Sequence, residues 1–118
     1  IMGYRSDVVI IIEKNTIPAF LTLLCKEENN EAKELVFHHR DEFDDDFRKE
    51  GHMLIRWNNI KWYDSYSCVS ALCGFLAENE EKTRFVRCGE EGEDVECMGD
   101  FMEWEVRPVV ENYIEFEV

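Results

Sequence analysis

The sequence lacks any run of apolar residues long enough to cross a membrane. No stretch approaches the ~20 consecutive apolar residues that a transmembrane helix needs. None has the basic start, apolar middle and small-residue end of a signal peptide. We therefore expect no membrane partner and a cytoplasmic location. Met2 is taken as the natural start of a single domain, residues 2–118, because a chain of 118 residues suits one core.

The motifs of common enzyme classes are also missing. There is no GxSxG nucleophile motif and no HExxH metal motif, and the six glycines are isolated, so no glycine-rich phosphate loop exists. The acidic stretch at residues 90–96 lacks the DxDxDG order of a calcium-binding loop. The sequence therefore predicts no catalytic residue, no cofactor and no metal, and we expect a protein that is not an enzyme.

Cysteine pairs with the spacing of a metal site are absent as well. None of the five cysteines belongs to a CxxC pair, so a zinc site has little support. An odd number of cysteines without a secretion signal indicates reduced thiols. A disulfide between Cys88 and Cys97 remains open if their strands pair.

Basic residues are scarce at the C-terminal end, and this imbalance is the most informative feature of the chain. Residues 90–118 carry eleven acidic side chains and one base, Arg107, so this segment holds −10 of the net charge of −14. Such a charge repels nucleic acid and anionic membranes and attracts basic proteins. The sequence therefore predicts a basic or nucleic-acid-binding protein as the partner, without direct binding of nucleic acid. The alternative is that the charge only keeps the protein soluble.

The spacing of apolar residues predicts both strands and helices. The β-branched run VVIII at residues 8–12 is typical of a strand buried on both faces. Helical spacing appears at residues 17–24 and 69–76, and a further helical segment over residues 32–39 remains open. The acidic residues 41–46 favour neither structure and are predicted as a break. We predict an α+β fold: a two-layer sandwich with a mainly antiparallel sheet and two helices on one face, in the order β-α-β-α-β-β-β.

Acidic and apolar residues alternate at residues 102–106 and 114–118, which predicts two C-terminal strands. Alternate residues of a strand point the same way about 6.7 Å apart, so the glutamates should form one carboxylate row in each strand. DNA carries one phosphate per ~3.4 Å on each strand, so such rows could occupy a groove built for phosphates. The predicted partner-binding residues are Glu90, Glu91, Glu93, Asp94, Glu96, Glu103, Glu105, Glu115 and Glu117.

Three stretches occur in an order that resembles a known family. They are GYRSDVVI at residues 3–10, IKWYDSY at residues 60–66 and FVRCGEEGEDVE at residues 85–96. The family consists of small, uncharacterised proteins of bacteriophages, prophages and some bacterial genomes. Its members show a GYRS-D/E-V start, a central IKWY-aromatic segment and an FIRIGED-acidic-DIE segment. This chain departs from the pattern at Cys88, where the family tends to be aliphatic, and at Gly92 inside the acidic turn.

The resemblance implies a phage or mobile-element protein that acts in the host bacterial cytoplasm, and it implies no catalytic residue. Small acidic phage proteins often bind and block host machinery such as restriction or CRISPR complexes, which is an analogy between classes of protein. We therefore expect a protein-binding module that inhibits a host defence or nucleic-acid-handling protein. It would be of the anti-CRISPR or anti-restriction type, with DNA mimicry as one form, and would act through its acidic C-terminal strands.

Two alternative functions remain. A small metal-dependent hydrolase would use His38, His39 or His52 with nearby carboxylates, although adjacent histidines on a helix point ~100° apart and do not easily share one metal. A structural or oligomerising phage protein would instead pair the exposed edge after Pro108 with another copy, against the repulsion between two acidic chains.

Overall fold

The computed structural model describes residues 3–108 and 114–116, which are built around a five-stranded sheet. The order in the sheet is β2-β3-β1-β4-β5, and every neighbouring pair is antiparallel; β6 and β7 form a separate antiparallel pair. The predicted α+β fold is therefore confirmed. The strands are β1 (Ser6–Ile12), β2 (Glu42–Phe47), β3 (His52–Ile60), β4 (Thr83–Gly89), β5 (Val95–Met98), β6 (Val106–Pro108) and β7 (Ile114–Phe116), and the helices are α1 (Ile17–Leu24), α2 (Asn30–His38) and α3 (Ser67–Glu78).

The central strand β1 is buried on both faces, as its β-branched run predicts. Val8, Ile10 and Ile12 point into the core beneath the helices, whereas Val9 and Ile11 point to the opposite face. All five side chains are fully buried. Alternate residues of a strand face opposite ways, so an apolar run on both faces requires a cover on each side of the sheet.

Three helices cover the first face, one more than predicted. The chain turns between α1 and α2, where the side-chain amide of Asn29 donates to the carbonyl of Leu23 (2.9 Å). The helices pack around Trp57 of β3, whose indole N–H donates to the carbonyl of Leu35 (3.1 Å). The residues that the helices bury are Phe20, Leu24, Ala32, Val36, Val69, Leu72, Phe75 and Leu76.

The C-terminal part of the chain covers the second face, so the fold has a further layer beyond the predicted two. Val106 of β6 and Ile114 of β7 are buried against Val9, Ile11 and the neighbouring strands. This layer is what removes the outward-facing half of the β1 run from water.

The acidic segment at residues 41–46 is not a break, and that prediction is wrong. Most of it belongs to β2, which pairs with β3 in the register Phe43↔Ile55 and Asp44↔Leu54. Its two phenylalanines, Phe43 and Phe47, pack against the core on the two faces of the sheet. An edge strand leaves one side of its backbone open to water, and charged side chains there hinder pairing with other chains. The position at the edge therefore accommodates the aspartates.

The predicted strand over residues 102–106 is also wrong, because residues 101–105 form a turn and β6 begins only at Val106. Phe101 and Met102 both pack against the second-face core, and Met102 has a positive φ of 59°. Gly99 starts this departure: its φ is +89° and a Cβ there would lie 2.1 Å from the carbonyl oxygen of Thr83. The backbone contact with β4 ends β5, and the apparent alternation comes from residues of a turn.

Candidate protein-binding surface

The structure places most of the predicted acidic residues at the two ends of the edge strand β5, with Glu96 within β5 and Glu115 on β7. The β4–β5 loop carries Glu90, Glu91 and Glu93, all exposed. The turn at residues 101–105 lies beyond the other end of β5, which spans only four residues and therefore about 10 Å. The acidic surface therefore has two parts: the hairpin tip (residues 90–93) and the acidic turn (residues 101–105).

Two of the predicted carboxylates are paired with Arg87 of β4. The guanidinium Nη2 lies 2.7 Å from Oδ1 of Asp94, and Nε lies 2.8 Å from Oε1 of Glu96. Nη1 also donates to the hydroxyl of Ser6 (3.0 Å). The Arg87 side chain is only 13% exposed. Asp94 and Glu96 therefore support the hairpin, and a partner would meet them already paired.

The N-terminal segment completes this network at the base of the hairpin tip. The hydroxyl of Tyr4 donates to Oδ2 of Asp94, and the backbone N–H of Glu91 donates to the Tyr4 oxygen (3.2 Å). The backbone N–H of Gly89 donates to the carbonyl of Asp94 (2.8 Å). A Cβ at Gly89 would meet the Asp94 carboxylate and the Tyr4 hydroxyl, so a larger residue there would displace these two side-chain groups.

The network shifts the pKa values of its members in the direction expected for an ion pair with a shared hydrogen bond. Hydrogen bonds from Arg87 and then Tyr4 lower the pKa of the Asp94 carboxyl below its ordinary value. The hydrogen bond from Tyr4 to Asp94 raises the pKa of the Tyr4 hydroxyl. The hydrogen bonds from Arg87 to Asp94 likewise raise the pKa of the Arg87 guanidinium above its ordinary value. Asp94 is therefore held as a carboxylate at neutral pH.

The three glutamates of the hairpin tip lie next to the network of Arg87, Asp94 and Tyr4. One carboxylate oxygen of Glu90 accepts the backbone N–H of Arg5 (3.0 Å), which ties the first glutamate of the loop to the N-terminal segment. Gly92 lies between Glu91 and Glu93 and has open space around it. Three exposed carboxylates within four residues give the tip a strong local negative charge.

A buried arginine clamps the two ends of the acidic turn. Nε of Arg84 donates to the carbonyl of Val106 (2.8 Å), and Nη1 donates to the carbonyl of Gly99 (2.9 Å). The backbone N–H of Val106 also donates to the carbonyl of Met102 (3.0 Å). The conformation of the turn is thus fixed by contacts beneath it.

Trp104 projects from the acidic turn into solvent and is 78% exposed. The other two tryptophans, Trp57 and Trp62, are 0% and 7% exposed. Glu103 is exposed beside it, whereas Glu105 lies 3.7 Å from Nη1 of Arg48. Trp57 and Trp104 occupy similar positions in the apolar–polar alternation, so the pattern alone does not distinguish the core residue from the surface one.

The first of the two predicted carboxylate rows, that of Glu103 and Glu105, does not form. Glu103 and Glu105 lie in the turn and not on a strand, so they cannot make a row along β6. Within the β6–β7 pair, the backbone of Glu115 is opposite that of Arg107. Glu117 lies outside the described residues. The row of Glu103 and Glu105 is therefore not adopted, and the row of Glu115 and Glu117 stays a prediction.

The cysteines predicted as a possible disulfide lie on paired strands, but out of register with each other. Cys97 is opposite Val86, and Cys88 is opposite Val95, so the two cysteines are diagonal neighbours on one face. Both are free thiols. Burial raises the pKa of the Cys88 thiol, which disfavours the reactive thiolate.

The three histidines are spread over the β2–β3 hairpin and the end of α2. His52 lies at the closed end of the hairpin, where its Nδ1 accepts the backbone N–H of Lys14 (3.1 Å). His38 and His39 lie at the end of α2, next to the open end of the same hairpin. Within residues 3–108 and 114–116, no group of three or more His, Cys, Asp or Glu side chains is arranged to hold a metal ion.

Comparison with protein-family models, curated proteins and solved structures finds no match for this chain. Across the part of the chain that the structure describes, no helix has both the length and the apolar character to cross a membrane. The family resemblance in the sequence stays a prediction.

Proposed function

We propose that this protein is a non-enzymatic binding module that captures a basic protein through the acidic surface at the two ends of β5. One observation carries the proposal: the hairpin tip and the acidic turn present exposed carboxylates, and the backbone beside each is held by a buried or half-buried arginine, Arg87 and Arg84 respectively. Carboxylates that share a rigid surface raise the association rate of a basic partner and select against acidic ones.

The setting implied by the resemblance narrows the partner. In a bacterial host cell, the proteins with large Lys- and Arg-rich surfaces include those that handle nucleic acid. A small acidic protein that occupies such a surface competes with nucleic acid for it. We therefore propose an inhibitor of a host defence or nucleic-acid-handling protein in the bacterial cytoplasm, of the anti-restriction or anti-CRISPR type. Competition would come from charge and shape.

The metal-dependent hydrolase has less support from the geometry. Its three candidate histidines are divided between the two ends of the β2–β3 hairpin, and His52 already accepts a backbone hydrogen bond. An oligomer through the edge after Pro108 would pair strands from two chains of net charge −14, which repel each other at low salt.

A capture experiment tests the proposal. Immobilised protein is incubated with nuclease-treated lysate of a bacterial host at low and at moderate salt. The test variant reverses Glu90, Glu91 and Glu93 to Lys. The matched control reverses another cluster of three exposed glutamates, Glu27, Glu28 and Glu31, in the 3-10 turn Glu27–Asn29 and the first turn of α2.

We expect one dominant basic partner that binds the wild type and the control variant, and whose binding weakens as salt rises. The variant with Lys at positions 90, 91 and 93 should lose most of this binding. If no partner is captured at either salt, or if the hairpin variant and the control bind equally well, the proposal is wrong and the charge serves only solubility.

A further inference from the structure

Trp104 is the largest apolar side chain that the described residues leave in water. Its exposed fraction of 78% is twice that of the next large apolar side chains, Tyr66 (39%) and Val95 (38%). Tryptophan is among the residues that most often carry the binding energy of protein interfaces. A tryptophan in this position adds nothing to the core, so what it contributes is apolar surface that a partner can contact.

The residues around Trp104 define the chemistry of what it would meet. Glu103 is exposed next to it in the turn, and Asp100 is exposed immediately before the turn. The backbone N–H of Asp100 donates to the carbonyl of Glu80 (2.8 Å), which brings the short 3-10 helix Glu80–Lys82 alongside. A cationic side chain would be attracted both by these carboxylates and by the face of the indole ring.

The turn holds Trp104 in a fixed backbone position before any partner binds. Arg84 clamps the turn from below, and Phe101 and Met102 anchor it in the second-face core. Nη1 of Arg107 donates to the carbonyl of Trp104 itself (2.8 Å). An anchor whose backbone is already ordered loses less conformational entropy on binding, which raises affinity.

We propose that the acidic turn is a receptor for an arginine or lysine side chain of the partner, with the cation on the indole of Trp104 and its charge balanced by Glu103. This inference rests on the proposed function and deepens it, because it assigns one anchoring residue and the kind of side chain that it reads. Arginine fits better than lysine, since its planar guanidinium stacks on a ring while it hydrogen-bonds to a carboxylate. The occupant is a basic partner and not a second copy, because two copies repel each other through their net charge of −14.

The three tryptophans make the test direct. Trp57 and Trp62 are buried, so acrylamide quenches chiefly the emission of Trp104. The protein is titrated with a hexa-arginine peptide at low salt, with a glycine–serine hexamer as the neutral control. Acrylamide quenching is measured at each point, and affinity is measured separately by calorimetry for the wild type and for the W104A, W104F and E103Q variants.

We expect hexa-arginine to shield Trp104 and at least to halve the quenching constant, while the neutral peptide leaves it unchanged. The W104A substitution should weaken binding about tenfold, in the range expected for a cation on an indole face, and W104F should lie in between. The E103Q substitution should weaken binding about threefold. Near-ultraviolet circular dichroism of W104A should match the wild type, because Trp104 lies outside the core.

Three results would overturn the receptor. One is salt-sensitive binding that is equal in W104A and the wild type, with quenching unchanged by the peptide, because the acidic surface would then bind without Trp104. In that case the capture experiment would still decide the proposed function. No binding of hexa-arginine by the wild type would exclude the receptor even if lysate capture succeeds. If Trp104 becomes shielded from acrylamide in the absence of peptide as the protein concentration rises, the occupant is a second copy of the chain.

Discussion

Replacing Arg87 by methionine should destabilise the protein, because this side chain joins three segments of the fold. Its guanidinium bonds Ser6 in β1, Asp94 before β5 and Glu96 within β5, while its own backbone belongs to β4. Methionine keeps much of the length and apolar volume of the arginine stem. The substitution therefore removes mainly the charge and its hydrogen bonds.

The exposure of each partner decides how much the two ion pairs contribute to stability. At ~4 Å and an effective dielectric constant of ~20, each pair would have a Coulomb energy of about 4 kcal/mol before desolvation is subtracted. Glu96 is 56% exposed, so that pair should behave as a surface pair and contribute under ~1 kcal/mol. Asp94 is 34% exposed and is bonded by both Nη atoms, so about 2 kcal/mol is expected. R87M should thus lower the free energy of unfolding by about 2–3 kcal/mol.

Urea unfolding at pH 7, followed by tryptophan fluorescence, measures this loss, since Trp57 and Trp62 report on the core. The control is K26M, which removes one positive charge from an exposed site and should cost less than ~0.5 kcal/mol. A double-mutant cycle of R87M with D94N should give a coupling of about 1–2 kcal/mol. If R87M costs no more than K26M, or if the coupling is near zero, the network does not hold the hairpin tip in place.

Other predictions follow from single positions. Stability should fall as pH drops below the ordinary Asp pKa of about 3.8, because the pKa of Asp94 is lower in the folded state. The stabilisation from ionised Asp94 is complete above pH 3.8 and is lost as pH falls through the lower folded-state pKa. Urea midpoints from pH 6 to 2 should therefore depend less on pH in R87M than in the wild type. G99A should cost at least about 3 kcal/mol in urea unfolding, because its Cβ would lie 2.1 Å from the Thr83 carbonyl oxygen at a φ of +89°; a cost under ~1 kcal/mol would mean that the turn moves away freely. K49G should stabilise by about 0.5–1 kcal/mol, because Lys49 has a φ of 58° in the β2–β3 turn and glycine adopts this region without strain, so an unchanged urea midpoint would contradict the assignment.

The sequence predicts the parts of the fold that depend on continuous patterns. The run at residues 8–12 can bury all of its apolar side chains only as a strand covered on both faces, and the structure shows this. The helical spacing at residues 17–24 and 69–76 likewise identifies α1 and α3. These elements follow from local periodicity, which a single sequence contains in full.

The errors arise where a distant contact decides the structure. Residues 101–105 alternate like a strand, but the close approach of Gly99 to Thr83 and the clamp by Arg84 turn the chain there. For the same reason, the sequence could not tell that Arg87 neutralises Asp94, since the pairing depends on the β4–β5 register. An inventory of carboxylates therefore predicted the acidic region but not which of its members are engaged within the protein.

The first strand of the chain is the middle strand of its sheet, and this has a consequence during synthesis. β1 pairs with β3 and β4, so its partners leave the ribosome only after residues 52–60 and 83–89 have been made. Until then the VVIII run has no native neighbour, and contacts so distant in sequence form slowly. Asp7 and Glu13 flank the run at its two ends. In the nascent chain their charges oppose the stacking of one such run on another, which is how gatekeeper residues limit aggregation.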